Sequence, residues 1–169
     1  MSFFSRIVKT VDNFSKPKSH PLKIADILCG IFSTWEGIAK RNDLSIKYLL
    51  NHVVVIDWCY GLLASAQSDY VNKCGGKINE VNYYAEVCNN LWSEYKFFSK
   101  SYSNFMNNRE KYDKYVGVAF LSGQAWFNER YSYNPIIRDI DVYNDSKREK
   151  TELLDLLNNY VTKYPELTI

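Results

Sequence analysis

Apolar residues recur every three to four positions along most of this chain, with polar residues in the gaps. That spacing marks one face of a helix, so helices are predicted nearly throughout. Phe3/Phe4, Ile7/Val8, Val11 and Phe14 form the first stripe, and Arg6, Lys9 and Asp12 lie off it. Residues 1–18 therefore read as a basic amphipathic helix docked on or beside the rest. A second helix should open at Ser19 or His20, with Pro21 in its first turn, where no N–H is needed. Its apolar face is Ile24/Ala25, Leu28, Ile31/Phe32, Trp35 and Ile38/Ala39, and Lys40 and Arg41 complement the dipole at its end.

Residues 45–72 are apolar nearly all round, with polar groups confined to a narrow stripe that includes Asn51, Asp57, Ser65 and Asp69. Such a helix is surrounded by others, so it is predicted to be the central element. A single long helix should follow, its stripe running from Ile78 through Tyr84/Ala85, Cys88, Leu91/Trp92, Tyr95, Phe98 and Tyr102 to Phe105. A fifth runs from Tyr115 to about Glu129, where Gly117 and Gly123 weaken the helix but let a neighbour approach. Between 130 and 144 the spacing turns partly to period two, which predicts an ordered loop or one short extended segment near 136–143. The last helix opens on the capping-box pattern Ser146-x-x-Glu149 and stops at Pro165. The expected fold is one all-α domain over 1–169: a compact bundle of about six helices around the central one.

Composition supports a single ordered domain. The chain has 169 residues, 46% hydrophobic and 24% charged, with only 7 Gly and 4 Pro. The net charge of +2 gives no global pull toward nucleic acid. Residues 1–23 carry five cations, Arg6, Lys9, Lys16, Lys18 and Lys23, against Asp12. Tyr occurs 14 times and Asn 16 times, both enriched at protein-binding surfaces. An AT-rich genome also inflates Asn, Lys, Tyr, Ile and Phe together, and that cause ranks first.

Cys29, Cys59, Cys74 and Cys88 form no CxxC pair, and three of them lie in apolar helical patterns. They read as free thiols of a reducing compartment, so the expected location is the cytoplasm. The most apolar stretch, Tyr48 to Ala66, contains Asn51, His52 and Asp57, which suits a buried core helix and no membrane span.

Little in the sequence has the pattern of catalysis. His20 looks like a helix-start residue. His52 shares a face with Ile56, Cys59 and Leu63 and reads as a core histidine donating to a carbonyl. No Gly-rich phosphate loop or nucleophile elbow occurs, and His, Cys and carboxylates are not spaced to bind zinc. No catalytic, cofactor-binding or metal-ligating residue is assigned, and no cofactor is expected. Asp139-Ile140-Asp141 would point two carboxylates the same way on an extended segment, a geometry able to hold Mg²⁺. That pair is locally similar to the acidic pair of small nucleotidyltransferases, which follows a Gly-Ser turn. Here Leu121-Ser122-Gly123-Gln124 has the wrong order, and too few residues follow Asp141 to complete that fold.

The primary expectation is a non-enzymatic, macromolecule-binding helical protein whose partner is another protein. An inhibitor, immunity or anti-defence protein of a microbe, phage or mobile element fits its size and composition. The predicted partner-binding residues are Tyr131, Tyr133, Arg138, Asp139 and Asp141, on the loop that rigid helices would present. One alternative is a helical subunit of a nucleic-acid-binding complex, using the aromatics and cations interleaved over 95–115. The other is a metal-dependent nucleotidyltransferase-like enzyme using Asp139 and Asp141.

Overall fold

The computed structural model describes residues 19–74, 80–132 and 150–169, and within them the chain is all-α. Helix α1 (His20–Arg41) starts with Pro21 in its first turn and ends at Asn42, whose side-chain amide donates to the Ile38 carbonyl at 2.9 Å. Its predicted stripe is buried, from Ile24 to Ala39. Asp43 then reverses the chain with a φ of 54°, a conformation that Asp tolerates.

The central element is not the single helix predicted over 45–72. Helix α2 (Ile46–Leu50) is capped by Ser45, whose hydroxyl oxygen accepts from the Tyr48 N–H. The chain then breaks at Asn51 and His52 before α3 (Val53–Cys74) begins. The C-terminal residues pair with the backbone at the break. The Val53 N–H donates to the Leu167 carbonyl (2.8 Å), the Ile169 N–H donates to the Asn51 carbonyl (2.9 Å), and His52 pairs antiparallel with Thr168. Backbone groups that would continue a helix are given to the tail instead. The central placement of α3 itself holds: Val53 to Cys59, Leu62 and Leu63 are fully buried.

The long helix predicted from Ile78 to Phe105 is also divided, into α4 (Glu80–Asn89), a 3₁₀ turn (Ser93–Tyr95) and α5 (Phe98–Asn108). Asn90 donates its side-chain amide to the Glu86 carbonyl at 2.7 Å, which satisfies an orphan acceptor at the end of α4. Trp92 is extended at ψ 152°, and its N–H points at Cys29 Sγ on α1 (3.3 Å). A second 3₁₀ turn (Arg109–Tyr112) leads to α6 (Val118–Phe127), which continues as a π turn over Asn128–Ser132. Helix α7 spans 150–156 and widens in the same way over Leu157–Val161.

Helices α3 and α6 make the most extensive contact in the fold. Gly61 of α3 lies against the Phe120 backbone, and Gly123 of α6 lies against the Trp58 backbone, with no room for a Cβ at either. The glycine that weakens α6 as a helix is what lets it seat. Around this crossing Trp35 packs on Trp58 (5.2 Å) and Trp58 on Trp126 (5.8 Å). Leu153, Leu157 and Val161 of the last helix are buried, whereas Leu154 and Tyr164 face outward. The predicted helix over 1–18, the extended segment near 136–143 and the capping box at Ser146 lie outside the described residues.

Candidate functional site

Of the predicted partner-binding residues, Tyr131 is described. It sits in the π turn, half-buried, with its ring 5.0 Å from Phe127 and 6.0 Å from Trp126. The neighbouring Arg130 lies over the Trp126 ring at 4.2 Å. Tyr131 is therefore tied to the core at the point where the chain leaves α6. Tyr133, Arg138, Asp139 and Asp141 lie outside the described residues. The aromatics of 95–115 largely face inward: Tyr95, Tyr102 and Phe105 are buried, while Lys96, Lys100, Lys111 and Lys114 are exposed.

Sequence reasoning missed a groove of about 550 Å³ between α4 and α5, floored by α3. Tyr60 of α3, Tyr84 of α4 and Tyr102 of α5 meet there in edge contacts, with ring centroids 5.9 to 6.3 Å apart. Asn89 and Asn107 line it too, and no lining side chain is charged. The Tyr102 hydroxyl is buried and has no hydrogen-bond partner. Burial is the main cause that lifts its pKa well above that of an ordinary phenol, so it stays protonated. A signal for the groove existed in Asn89-Asn90 followed by Ser93, residue types that favour helix ends and caps.

Behind Tyr60 lies a buried carboxylate. Asp57 Oδ2 accepts from the N–H groups of Gly117 (2.7 Å) and Phe120 (3.1 Å), so a side chain of α3 caps the N-terminus of α6. Arg109 Nη2 is 3.6 Å from Asp57 Oδ1, beyond hydrogen-bond reach, and its guanidinium lies over Tyr60 (5.5 Å) and Phe120 (6.0 Å). Burial pushes the Asp57 carboxyl up despite those N–H donors and the arginine.

The two histidines have structural partners. His52 is fully buried; its Nδ1 accepts from the Val54 N–H (3.3 Å), which leaves Nε2–H to donate to the Tyr164 carbonyl (3.0 Å). The expected core histidine on a carbonyl is thus observed, in its neutral Nε2–H form. His20 Nε2 lies 3.4 Å from Asp69 Oδ2 and its Nδ1 lies 3.1 Å from the Tyr83 hydroxyl, with the ring stacked on Tyr70. This cluster joins the start of α1 to α3 and α4. Tyr83 is 1% exposed, and burial first and the Asp69 charge second hold its hydroxyl protonated, so the cluster serves as a tie.

Cys29, Cys59 and Cys88 are buried free thiols. Among the described residues no helix is long and apolar enough to cross a membrane. No family model matches the chain, and no curated protein and no solved structure matches it either.

Proposed function

We propose that this chain is a non-enzymatic binding protein whose partner is another protein. The observation that supports this reading is the outer face of α6. Val118–Phe127 is apolar on nearly every side, and one side is seated on α3. On the other side Val118 is 67% and Leu121 62% exposed, and Ala125 continues the stripe one turn on. Single exposed apolar residues are ordinary on a soluble surface; an aligned stripe on one helix favours an interface. It leads toward Tyr131, where the 130–144 segment begins. Tyr131, Tyr133 and Arg138 would anchor the partner, and Asp139 and Asp141 would steer a basic patch toward them.

A cytoplasmic inhibitor, immunity or anti-defence protein of a microbe, phage or mobile element is the setting this reading implies. The buried free thiols and the Asn- and Tyr-rich composition favour it. The test uses two double variants, Val118→Asp with Leu121→Asp, and Tyr133→Ala with Arg138→Ala. Both should keep the wild-type helical melt and weaken capture of the partner by about tenfold or more. Undiminished capture by both variants overturns the reading. Concentration-dependent dimerisation that the aspartates abolish would make the stripe a self-association surface and overturn it equally.

A further inference from the structure

We propose that the groove between α4 and α5 is the docking site for the basic amphipathic segment 1–18 of this same chain, laid in as a helix. The inference concerns a different surface from the α6 stripe and does not depend on the partner-binding reading. Three observations carry it: what lines the groove, where the chain enters α1, and the charge on α4.

The groove encloses about 550 Å³, and Tyr60, Tyr84, Ala85, Cys88 and Met106 give it apolar walls with no charged side chain in the lining. Ala85 is exposed and Met106 half-buried, so its mouth offers apolar surface to an occupant. Such a groove suits the apolar face of a helix, whose anchors recur at i, i+3, i+4 and i+7. Phe4, Ile7, Val8 and Val11 have that spacing, and Phe14 follows at i+10. Residues 3–14 as a helix would be about 18 Å long, and α4, with 10 residues, is about 15 Å, so the two match in length.

The start of α1 favours an occupant from the same molecule. His20 opens α1 with its ring centroid 6.0 Å from that of Tyr83, and Tyr83 lies 6.0 Å from Tyr84, which lines the groove. Residues 1–18 are therefore tethered on one flank of α4, with the groove on the other. A helix is about 10 Å across, and four extended residues reach about 13 Å, so Ser15 to Lys18 can cross it. Pro17 biases Lys16 toward the extended conformation that this crossing needs. Tethering gives the segment an effective concentration of about millimolar, which a free partner must exceed to displace it. Charge agrees. The segment carries Arg6, Lys9, Lys16 and Lys18 against Asp12, whereas residues 80–95 carry Glu80, Glu86 and Glu94 and no cation. Glu86 is exposed next to Ala85, and Lys100 is the sole cation of α5.

The test uses the full chain with the photoreactive residue p-benzoylphenylalanine in place of Phe4 or, separately, of Phe14. After irradiation, mass spectrometry of the digested monomer should place the links on Tyr84, Ala85, Cys88 or Met106. Ile7→Asp with Val11→Asp should release the segment and lower the link yield about fivefold or more, because it puts charge on the docking face. In protein-observed NMR the same double variant should shift the Ala85 and Met106 methyl resonances. Ala85→Lys alters the groove and leaves the segment intact. Lysine suits an exposed helical position, so this variant should keep the wild-type melt while its added cation lowers the yield by a similar factor.

Links that fall mainly on Val118 and Leu121, or on any other face, overturn the proposal. So does a product linked between two chains, which would make a second copy the occupant. It is equally overturned if Ile7→Asp with Val11→Asp leaves the Ala85 and Met106 resonances in place, or if Ala85→Lys leaves the link yield unchanged.

Discussion

Two fully buried polar residues, His52 and Asp57, set the local rules of this fold. Asp57 is the sole acceptor drawn from α3 for two N–H groups at the start of α6, and Arg109 balances its charge from the other side. Asp57→Ala would orphan both donors and leave the arginine facing an apolar wall. The expected loss is about 1–3 kcal/mol in urea unfolding, the usual cost of leaving buried hydrogen-bond donors unmet, because Arg109, 36% exposed, keeps its access to water. Asp57→Asn keeps a carbonyl oxygen for one donor and should cost less; an equal loss for both variants would show that the charge matters and the cap does not. His52 predicts a pH dependence. Burial lowers its proton affinity, against a weaker pull upward from the Tyr164 carbonyl and Glu166. Protonation would also place Nδ1–H against the Val54 N–H. The unfolded chain takes up a proton near pH 6.5 while the folded chain does not. Stability from this residue is therefore full above about pH 6.5 and falls as pH drops toward the lowered folded value. Asp57, raised in the fold, works with the opposite sign. The comparison that isolates His52 is wild type against His52→Gln: the acid-side loss of Tm should be shallower in the variant, and parallel curves would refute the assignment.

At the scale of elements, the hydrophobic pattern located the faces of the helices well and their ends less well. Most of the stripe from Tyr84 to Phe105 is buried as its spacing implies, with Ala85 and Trp92 exposed, yet it belongs to two helices. In one straight helix Tyr84 and Tyr102 would lie about 27 Å apart, at 1.5 Å per residue. Folded back at Asn90 to Trp92, their rings stand 5.9 Å apart. Periodicity survives such a turn because both arms pack on the same core, so the pattern alone could not reveal the groove. The break at Asn51 and His52 was hidden for another reason: the backbone groups that pair with it lie more than a hundred residues away, in the tail. Tyr131 was legible as a residue at the exit of α6, but its packing on Phe127 required the π turn. Glycines give the sharpest test at this scale. Gly30 and Gly37 of α1 have open space where a Cβ would go, so Gly37→Ala should stabilise by about 0.5–1 kcal/mol through helix propensity. Gly61→Ala and Gly123→Ala carry the same propensity gain but drive a methyl into the facing backbone. Both should destabilise by about 1–3 kcal/mol, as overpacked cores do. A stabilising Gly123→Ala would mean that α3 and α6 do not cross this closely. The predicted burial of Leu63 is checked in the same melts, where Leu63→Ala should cost about 2–5 kcal/mol.

Across the whole molecule, the described parts are closed by ties between distant segments. Trp92 reaches Cys29, His20 joins Asp69 and Tyr83, and the residues after Tyr164 close over the start of α3. The last of these bears most weight, because it supplies the partners for backbone at the entrance to the central helix. Three groups depend on it: the Val53 N–H, the Asn51 carbonyl and the His52 Nε2–H. Leu167 adds an apolar seal, 8% exposed within the core cluster. Removing 164–169 would expose or orphan all of these together. A chain lacking those residues should lose about 2–4 kcal/mol, from unmet buried hydrogen bonds and the lost leucine contact. Leu167→Asp should reproduce part of that loss. Hydrogen exchange separates this effect from general weakening. The Val53 amide should exchange with the slow core amides in the full chain and become fast on truncation, while amides of α1 keep their relative order. If Val53 stays protected without the tail, residues 46–74 can join into the one helix that the sequence pattern predicted. The break at Asn51 would then be imposed by docking of the tail, and the truncated chain should show a gain in helical circular dichroism per residue. If Val53 becomes fast and helicity does not rise, the break belongs to Asn51 and His52 themselves, and the tail serves only to satisfy it.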